Sequence, residues 1–120
     1  MPTLKEFPMH RDLPADQLTA ICAFNDILPD SGVCALINGR QVAVFRVDGA
    51  VYAIGNYDAN SNASVLSRGL VGNLGERLVV ASPIYKQHFD LRTGECIEAP
   101  QHSVQPWRAE VVDGTVWVGQ

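Results

Sequence analysis

Three cysteines and three histidines are the side chains in this sequence best suited to hold a metal. Thiolates and imidazoles are the usual ligands of zinc, copper and iron–sulfur centres. The six residues are widely spaced, and they form neither a Cys-x-x-Cys nor a Cys-x-His pair: Cys22, Cys34 and Cys96, and His10, His88 and His102. We therefore expect three reduced thiols packed as small apolar side chains, and no metal site built from them.

The elements that would position any site are short strands joined by tight turns. Three dipeptides that favour two-residue hairpin turns occur between alternating apolar segments: Asn38-Gly39, Asp48-Gly49 and Asp113-Gly114. The alternation predicts strands over residues 19–24, 32–38, 41–47, 50–54, 77–82, 87–91, 107–112 and 115–119. This pattern, without a long amphipathic helix, is typical of an all-β antiparallel sandwich or barrel.

Three features refine this fold prediction. In residues 41–47 one alternating face is fully apolar and the other ends in Arg46, which favours a half-buried strand. From residue 55 to 76 the alternation disappears, and Asn, Ser and Gly predict a long loop. We expect Trp107 and Trp117 in the core or at its rim, residues 1–18 as an N-terminal arm, and residues 19–120 as one domain.

The composition excludes several function classes. The chain has 120 residues, of which 47% are hydrophobic and 18% charged, and its net charge is −4. This acidic balance argues against nucleic acid as a partner, because phosphate binding needs clustered Lys and Arg. No apolar run approaches the roughly 20 residues needed to cross a bilayer, and the N-terminus lacks the apolar stretch of a signal peptide. We therefore expect a cytoplasmic protein without a membrane partner.

Two segments within the predicted loop region, about residues 55–94, carry a recognisable pattern. Leu66-Ser67-Arg68-Gly69 resembles the end of the first ligand loop of Rieske ferredoxins and dioxygenase Rieske domains. Pro83 together with Phe89-Asp90-Leu91-Arg92-Thr93-Gly94 resembles the second ligand loop. The resemblance covers about residues 19–119 and implies a Rieske-like fold with a two-loop subdomain.

The positions that would hold the [2Fe–2S] cluster carry other residues. In the second loop, Ser82 and Tyr85 stand at the Cys and His positions, and Lys86 replaces a Gly. The first loop allows two alignments, which place the Cys and His positions on Asp58 and Asn60 or on Ala59 and Ser61. A Rieske centre needs two cysteines on one iron and two histidines on the other. The sequence therefore predicts no cluster in this chain.

The chain is similar to one cluster-less family in particular, the small subunit of bacterial NAD(P)H-dependent assimilatory nitrite reductase. The similarity rests on Asp58 followed by an Asn/Ser-rich stretch, and on the segments 34–36, 41–46, 53–58, 64–70 and 80–83. It implies a non-catalytic subunit in nitrate assimilation, where nitrite is reduced to ammonium. The partner would be a large subunit with FAD, sirohaem and an iron–sulfur cluster, and this chain would hold no cofactor.

The two loops would then need another means of support. We expect side chains of the Asn/Ser-rich stretch to hydrogen-bond nearby backbone, and the Tyr85 ring to fill part of the vacated space. Cys96 is expected to face away from it. The loop tips would form a docking surface, for which the candidate contact residues are Asn60, Ser61, Arg68, Tyr85, Lys86 and His88.

Two other hypotheses stay open from the sequence. The chain could be a stand-alone Rieske-like binding or regulatory module unrelated to nitrite. It could also be an electron carrier with unusual ligands such as Asp58, His88 and Cys96. A colourless purified protein would exclude the carrier, since bound iron–sulfur groups absorb visible light.

Overall fold

The structure is a computed structural model and describes residues 17–120, a part of the chain that is built from antiparallel β-strands. Most of the predicted arm, residues 1–18, lies outside this range. The eleven strands of the described part are β1 Leu18–Ala23, β2 Ser31–Ile37, β3 Arg40–Val47, β4 Ala50–Gly55, β5 Tyr57–Asp58, β6 Ala63–Ser64, β7 Leu70–Leu74, β8 Arg77–Ala81, β9 His88–Asp90, β10 Pro106–Val112 and β11 Thr115–Gly119. Short 3₁₀ turns lie at Phe24–Asp26, Leu66–Arg68 and Pro100–His102. The predicted all-β class is confirmed.

The strands form one large and two small sheets. The large sheet has six strands in the order β1-β11-β10-β4-β3-β2. The small sheets are β7-β8-β9 and the two-residue pair β5-β6. Neighbouring strands are antiparallel in all three sheets. The small sheets together with their loops make up the predicted two-loop subdomain.

The predicted hairpin turns fall where the sequence places them. Asn38 (φ 52°) and Gly39 (φ 80°) join β2 to β3, and Asp113 (φ 51°) and Gly114 (φ 77°) join β10 to β11. Positive φ at both central residues is the geometry that matches the twist of the flanking strands. The turn between β3 and β4 also has two residues, Asp48 and Gly49, but of these only Asp48 has a positive φ, at 54°.

Strand β3 is buried on both faces, and the half-buried prediction was wrong. Val42 and Val44 pack in the core of the large sheet together with Trp107. Ala43 and Phe45 face the other way, into the core of the two-loop subdomain. Strand β3 therefore links the two hydrophobic cores, which explains why its sequence is continuously apolar from 42 to 45.

The predicted long loop at 55–76 contains strands that the sequence pattern did not show. Strand β7 pairs with β8 in regular antiparallel register from Leu70↔Ala81 to Leu74↔Arg77. Its exposed face includes Leu70 at 74% and Leu74 at 38%, so the apolar-in, polar-out alternation is missing. The extended conformation of β7 is consequently imposed by its pairing with β8, and is not signalled by its own sequence.

The cysteines follow the expected packing only in part. Cys96 is buried, Cys22 is half-buried and Cys34 is exposed, and all three are free thiols.

Within residues 17–120 no helix is long and apolar enough to cross a membrane.

Candidate functional site

Two loops of the small subdomain meet beyond the end of β8. We call residues 56–69 the first loop and residues 82–87 the second loop. The first loop ends at Gly69, where an added Cβ would stand 2.3 Å from the Ala81 carbonyl oxygen and 2.6 Å from Val80 Cγ2. This close approach brings the end of the first loop against the start of the second, and only a glycine leaves room for it.

Asp58 is the centre of the contact between the loops. Its Oδ2 accepts hydrogen bonds from Ser82 Oγ at 2.5 Å and from Ser61 Oγ at 2.9 Å. Its Oδ1 accepts from the backbone N–H of Asn60 at 2.9 Å and from Asn60 Nδ2 at 3.1 Å. We call Asp58, Asn60, Ser61 and Ser82 the Asp58 network. Asp58 is fully buried and Ser82 is 1% exposed, so the network is an internal one.

The environment of Asp58 favours its ionised form. Burial alone raises the pKa of a carboxyl group, because a charge loses hydration in the interior. Here the hydrogen bonds from Ser82, Ser61 and Asn60 outweigh that effect, and the pKa of Asp58 lies below its usual range. The carboxylate therefore serves as an acceptor for all four donors at neutral pH.

Asn60 extends the Asp58 network to the C-terminal part of the domain. Its side-chain Oδ1 lies 2.5 Å from His102 Nδ1, and its Nδ2 lies 3.7 Å from Cys96 Sγ. Because Asn60 Nδ2 already donates to Asp58, we assign Oδ1 as the acceptor and His102 Nδ1–H as the donor. The expectation that Cys96 faces away was wrong: its thiol lies beside the first loop.

A second buried residue, Asn56, supports the base of the first loop. Its Nδ2 donates to Gln41 Oε1 and to the Ser64 carbonyl oxygen, both at 3.1 Å. Its Oδ1 accepts from the backbone N–H of Ser67 at 2.7 Å. Sequence reasoning noted Asn56 only as part of a family-like segment, because its partners at 41, 64 and 67 have no recognisable spacing.

The second loop is a tight turn whose tip is exposed. The Ser82 N–H donates to the Gln87 carbonyl at 2.8 Å, and the Lys86 N–H donates to the Ser82 carbonyl at 3.0 Å. Ile84 is 48% exposed and Tyr85 is 63% exposed. The Tyr85 ring therefore does not fill the space between the loops, contrary to our expectation.

Lys86 adopts an unusual backbone conformation at this tip. Its φ is 59°, in the left-handed region that non-glycine residues adopt at a cost of about 1–2 kcal/mol. The related Rieske pattern has Gly at this position, a residue that adopts positive φ without this cost.

His88, predicted as a surface or contact histidine, is half-buried and has a partner. Its ring Nδ1 lies 2.6 Å from Glu98 Oε2, and its backbone N–H donates to Glu98 Oε1 at 2.7 Å. These bonds outweigh the effect of burial and lower the pKa of Glu98. The His88 side chain is thus held against Glu98 of the same domain.

The residues at the four ligand positions do not fit a [2Fe–2S] cluster. A carboxylate, a hydroxyl, an amide and a phenol would replace two thiolates and two imidazoles. Both oxygens of Asp58 already accept hydrogen bonds, and Tyr85 points into exposed space. Among residues 17–120 no group of three or more His, Cys, Asp or Glu side chains could hold a metal ion.

Comparison with known proteins identifies the family. The model of the Rieske-like [2Fe-2S] domain matches residues 17–119. The nitrite reductase (NADH) small subunit of Salmonella typhimurium is 51% identical over 98 residues, which cover 80% of this chain and 91% of that relative. The chain belongs to the nitrite reductase small-subunit family. The resemblance drawn from the two loops is therefore confirmed.

Two further matches place this family member in context. The NMR structure of the E. coli protein NirD superposes with a TM-score of 0.80 at 46% identity, over 87% of this chain and 96% of that one. The nitrite reductase [NAD(P)H] large subunit of Klebsiella oxytoca is 41% identical over 107 residues. That match covers 89% of this chain but only 11% of the Klebsiella protein, so this chain spans about a tenth of that relative's length.

In this member of the small-subunit family, the predicted contact residues form two groups that differ in solvent exposure. Arg68, Tyr85 and Lys86 are exposed at the loop tips. Asn60 and Ser61 are half-buried within the Asp58 network, and His88 is paired with Glu98. The two first-loop alignments both include members of the Asp58 network, Asp58 and Asn60 in one and Ser61 in the other, whereas Ala59 is exposed.

Proposed function

We propose that this chain is the small subunit of an NAD(P)H-dependent nitrite reductase and that it docks on the large subunit without carrying a cluster. The observation that supports this most is the 51% identity to the Salmonella small subunit over nearly all of that protein. The reaction would be the reduction of nitrite to ammonium during nitrogen assimilation in the cytoplasm.

The Klebsiella match supports the choice of partner. In that protein, named a large subunit, a segment 41% identical to this chain is part of the same polypeptide. A domain that is covalently attached to the large subunit in one relative is expected to contact it as a separate chain in another. The redox groups, namely FAD, sirohaem and an iron–sulfur cluster, would all belong to the large subunit.

The exposed loop tips are the surface that we propose for docking. They combine two basic side chains, Arg68 and Lys86, with exposed apolar ones at Leu70, Ile84 and Tyr85. Arginine and aromatic residues are enriched at the centres of protein interfaces. The close packing of Gly69 on Ala81 and the pairing of Leu70 with Ala81 support this proposal, because they bring the first loop to the end of β8 where the second loop begins.

A binding experiment with the large subunit tests this proposal. The double charge reversal R68E/K86E should weaken the complex by tenfold or more, as measured by calorimetric titration. Arg92→Glu is the matched control, because Arg92 is also exposed but follows β9 at the far end of that strand from the second loop. R92E should bind like the parent chain.

Two results would contradict the proposal. Unchanged affinity of R68E/K86E would remove the loop tips as the docking surface. Absence of any complex between the parent chain and the large subunit would remove the subunit function itself and favour a stand-alone module.

A further inference from the structure

The residue that connects the two loops is itself out of reach of any partner. Asp58 is fully buried, yet it joins the first loop to Ser82, the first residue of the second loop. Ser82 closes the second loop through two backbone hydrogen bonds, one to Gln87 and one from Lys86. The position of Ser82 therefore fixes where the exposed tip at Ile84 and Tyr85 lies.

The same carboxylate also organises the first loop. Asn60 and Ser61 both donate to Asp58, and Asn60 in turn meets His102 and Cys96. Three separate parts of the chain, around residues 58–61, 82 and 96–102, are thus joined through one buried group. A metal cluster held by both loops would connect two of these parts in the same way.

We propose that Asp58 is a positioning residue for docking: the Asp58 network fixes the relative placement of the two loops and so shapes the surface that contacts the large subunit. This inference rests on the proposed function. Asp58 makes no contact with the partner and acts only through Ser82, Ser61 and Asn60.

The hydrogen bonds of Asp58 are suited to this task because they specify one arrangement of the loops. A carboxylate offers four acceptor sites, and here two donors occupy each oxygen. Any displacement of the second loop would leave a buried charge with fewer partners, which is strongly unfavourable. The loop tips are therefore held before the partner arrives, and preordered surfaces lose less entropy on binding.

Titration of the large subunit with buried-site variants tests the inference. The variants are Ser82→Ala, which removes one donor, and Asp58→Asn, which places an NH₂ group against at least one pair of donors. Both should raise the Kd by tenfold or more at a temperature where each variant is folded. They should also speed amide hydrogen exchange at residues 83–87 in the free chain.

A matched control separates positioning from general stability. Arg77→Gln breaks the ion pairs with Asp90 and Glu95 at the start of β8, the end of that strand away from the second loop. It should lower the Tm but leave the Kd unchanged. Because the Ser82 hydroxyl acts through its bond to Asp58, D58N/S82A should bind no worse than the weaker-binding single variant.

The outcomes distinguish this inference from the proposed function. If the parent chain binds the large subunit and both S82A and D58N bind equally well, the positioning role is overturned while the subunit function stands. If the parent chain does not bind, the subunit function fails first. Should D58N not fold, S82A alone decides, since a single buried hydroxyl is removed without unpairing Asp58 from Ser61 and Asn60.

Discussion

At the scale of single residues, Asp58 shows how a buried charge can be accommodated. A carboxylate moved from water into an interior without partners would raise its pKa and become neutral. Asp58 has four hydrogen-bond donors within 3.1 Å, and its pKa lies below the usual range. The interactions of Asp58 therefore stabilise the folded domain more when Asp58 is ionised than when it is protonated.

This ionisation predicts a specific pH dependence of stability. Because the folded pKa of Asp58 is lower than the unfolded one, its contribution is fully present above the ordinary aspartate value of about 4. The contribution is lost as the pH falls through the folded pKa. We expect the free energy of unfolding of D58N to depend less on pH below about 4 than that of the parent chain, as measured by urea titration.

A graded variant checks the cause of this effect. S82A keeps the carboxylate but removes one of the donors that lower its pKa, so its acid dependence should lie between those of the parent and D58N. Identical pH profiles for all three proteins would show that Asp58 is not held ionised by the Asp58 network.

For these residues, the sequence predicts the side-chain types at the ligand positions but not the contacts that they make. The residue types at 58, 60, 82 and 85 were sufficient to predict that thiolates and imidazoles are absent. The hydrogen bond from Ser82 to Asp58 could not be predicted, because it joins residues 24 positions apart whose approach depends on the folded backbone. The exposure of Tyr85 was missed for a related reason: its orientation follows from the tight turn between Ser82 and Gln87.

At the scale of elements, the junction between the first loop and β8 depends on Gly69. An added Cβ would stand 2.3 Å from the Ala81 carbonyl oxygen, a backbone atom that cannot move without disturbing the pairing of β7 with β8. This observation gives a physical reason for the Leu-Ser-x-Gly pattern in this chain, independent of any metal.

We expect Gly69→Ala to lower the free energy of unfolding by about 2 kcal/mol, the typical cost of overpacking a tight contact. Gly72→Ala is the matched control, since a Cβ there meets nothing within 4 Å and no positive φ is required. G72A should be as stable as the parent in thermal or urea unfolding. Equal stability of G69A and G72A would contradict the close packing of the loop on β8.

The strands also show where sequence patterns succeed and fail. The hairpins at Asn38-Gly39 and Asp113-Gly114 were predictable because their turn residues carry a local conformational signal. Strand β7 was missed because its exposed leucines and Gly72 break the alternation, and its conformation comes from pairing with β8. The burial of β3 on both faces was missed because Arg46, at the end of one face, was interpreted as the start of a polar side, although residues 42–45 are continuously apolar.

At the scale of the whole molecule, the described part of the chain is an antiparallel β-scaffold that carries the two loops at one end. The large sheet supplies the main core, and β3 connects that core to the small subdomain that carries the two loops. With a net charge of −4, the chain presents two of its few basic side chains, Arg68 and Lys86, at this end. A large subunit with acidic groups at the matching site would complement this surface.

We attribute the contact between the two loops to side-chain hydrogen bonds and not to an iron–sulfur cluster. The direct measurement is the content of iron and acid-labile sulfide in the chain purified without oxygen, together with its visible absorption spectrum. We expect a colourless, folded protein with neither iron nor acid-labile sulfide above trace level. Two iron atoms and two sulfides per chain, with a visible spectrum to match, would contradict it.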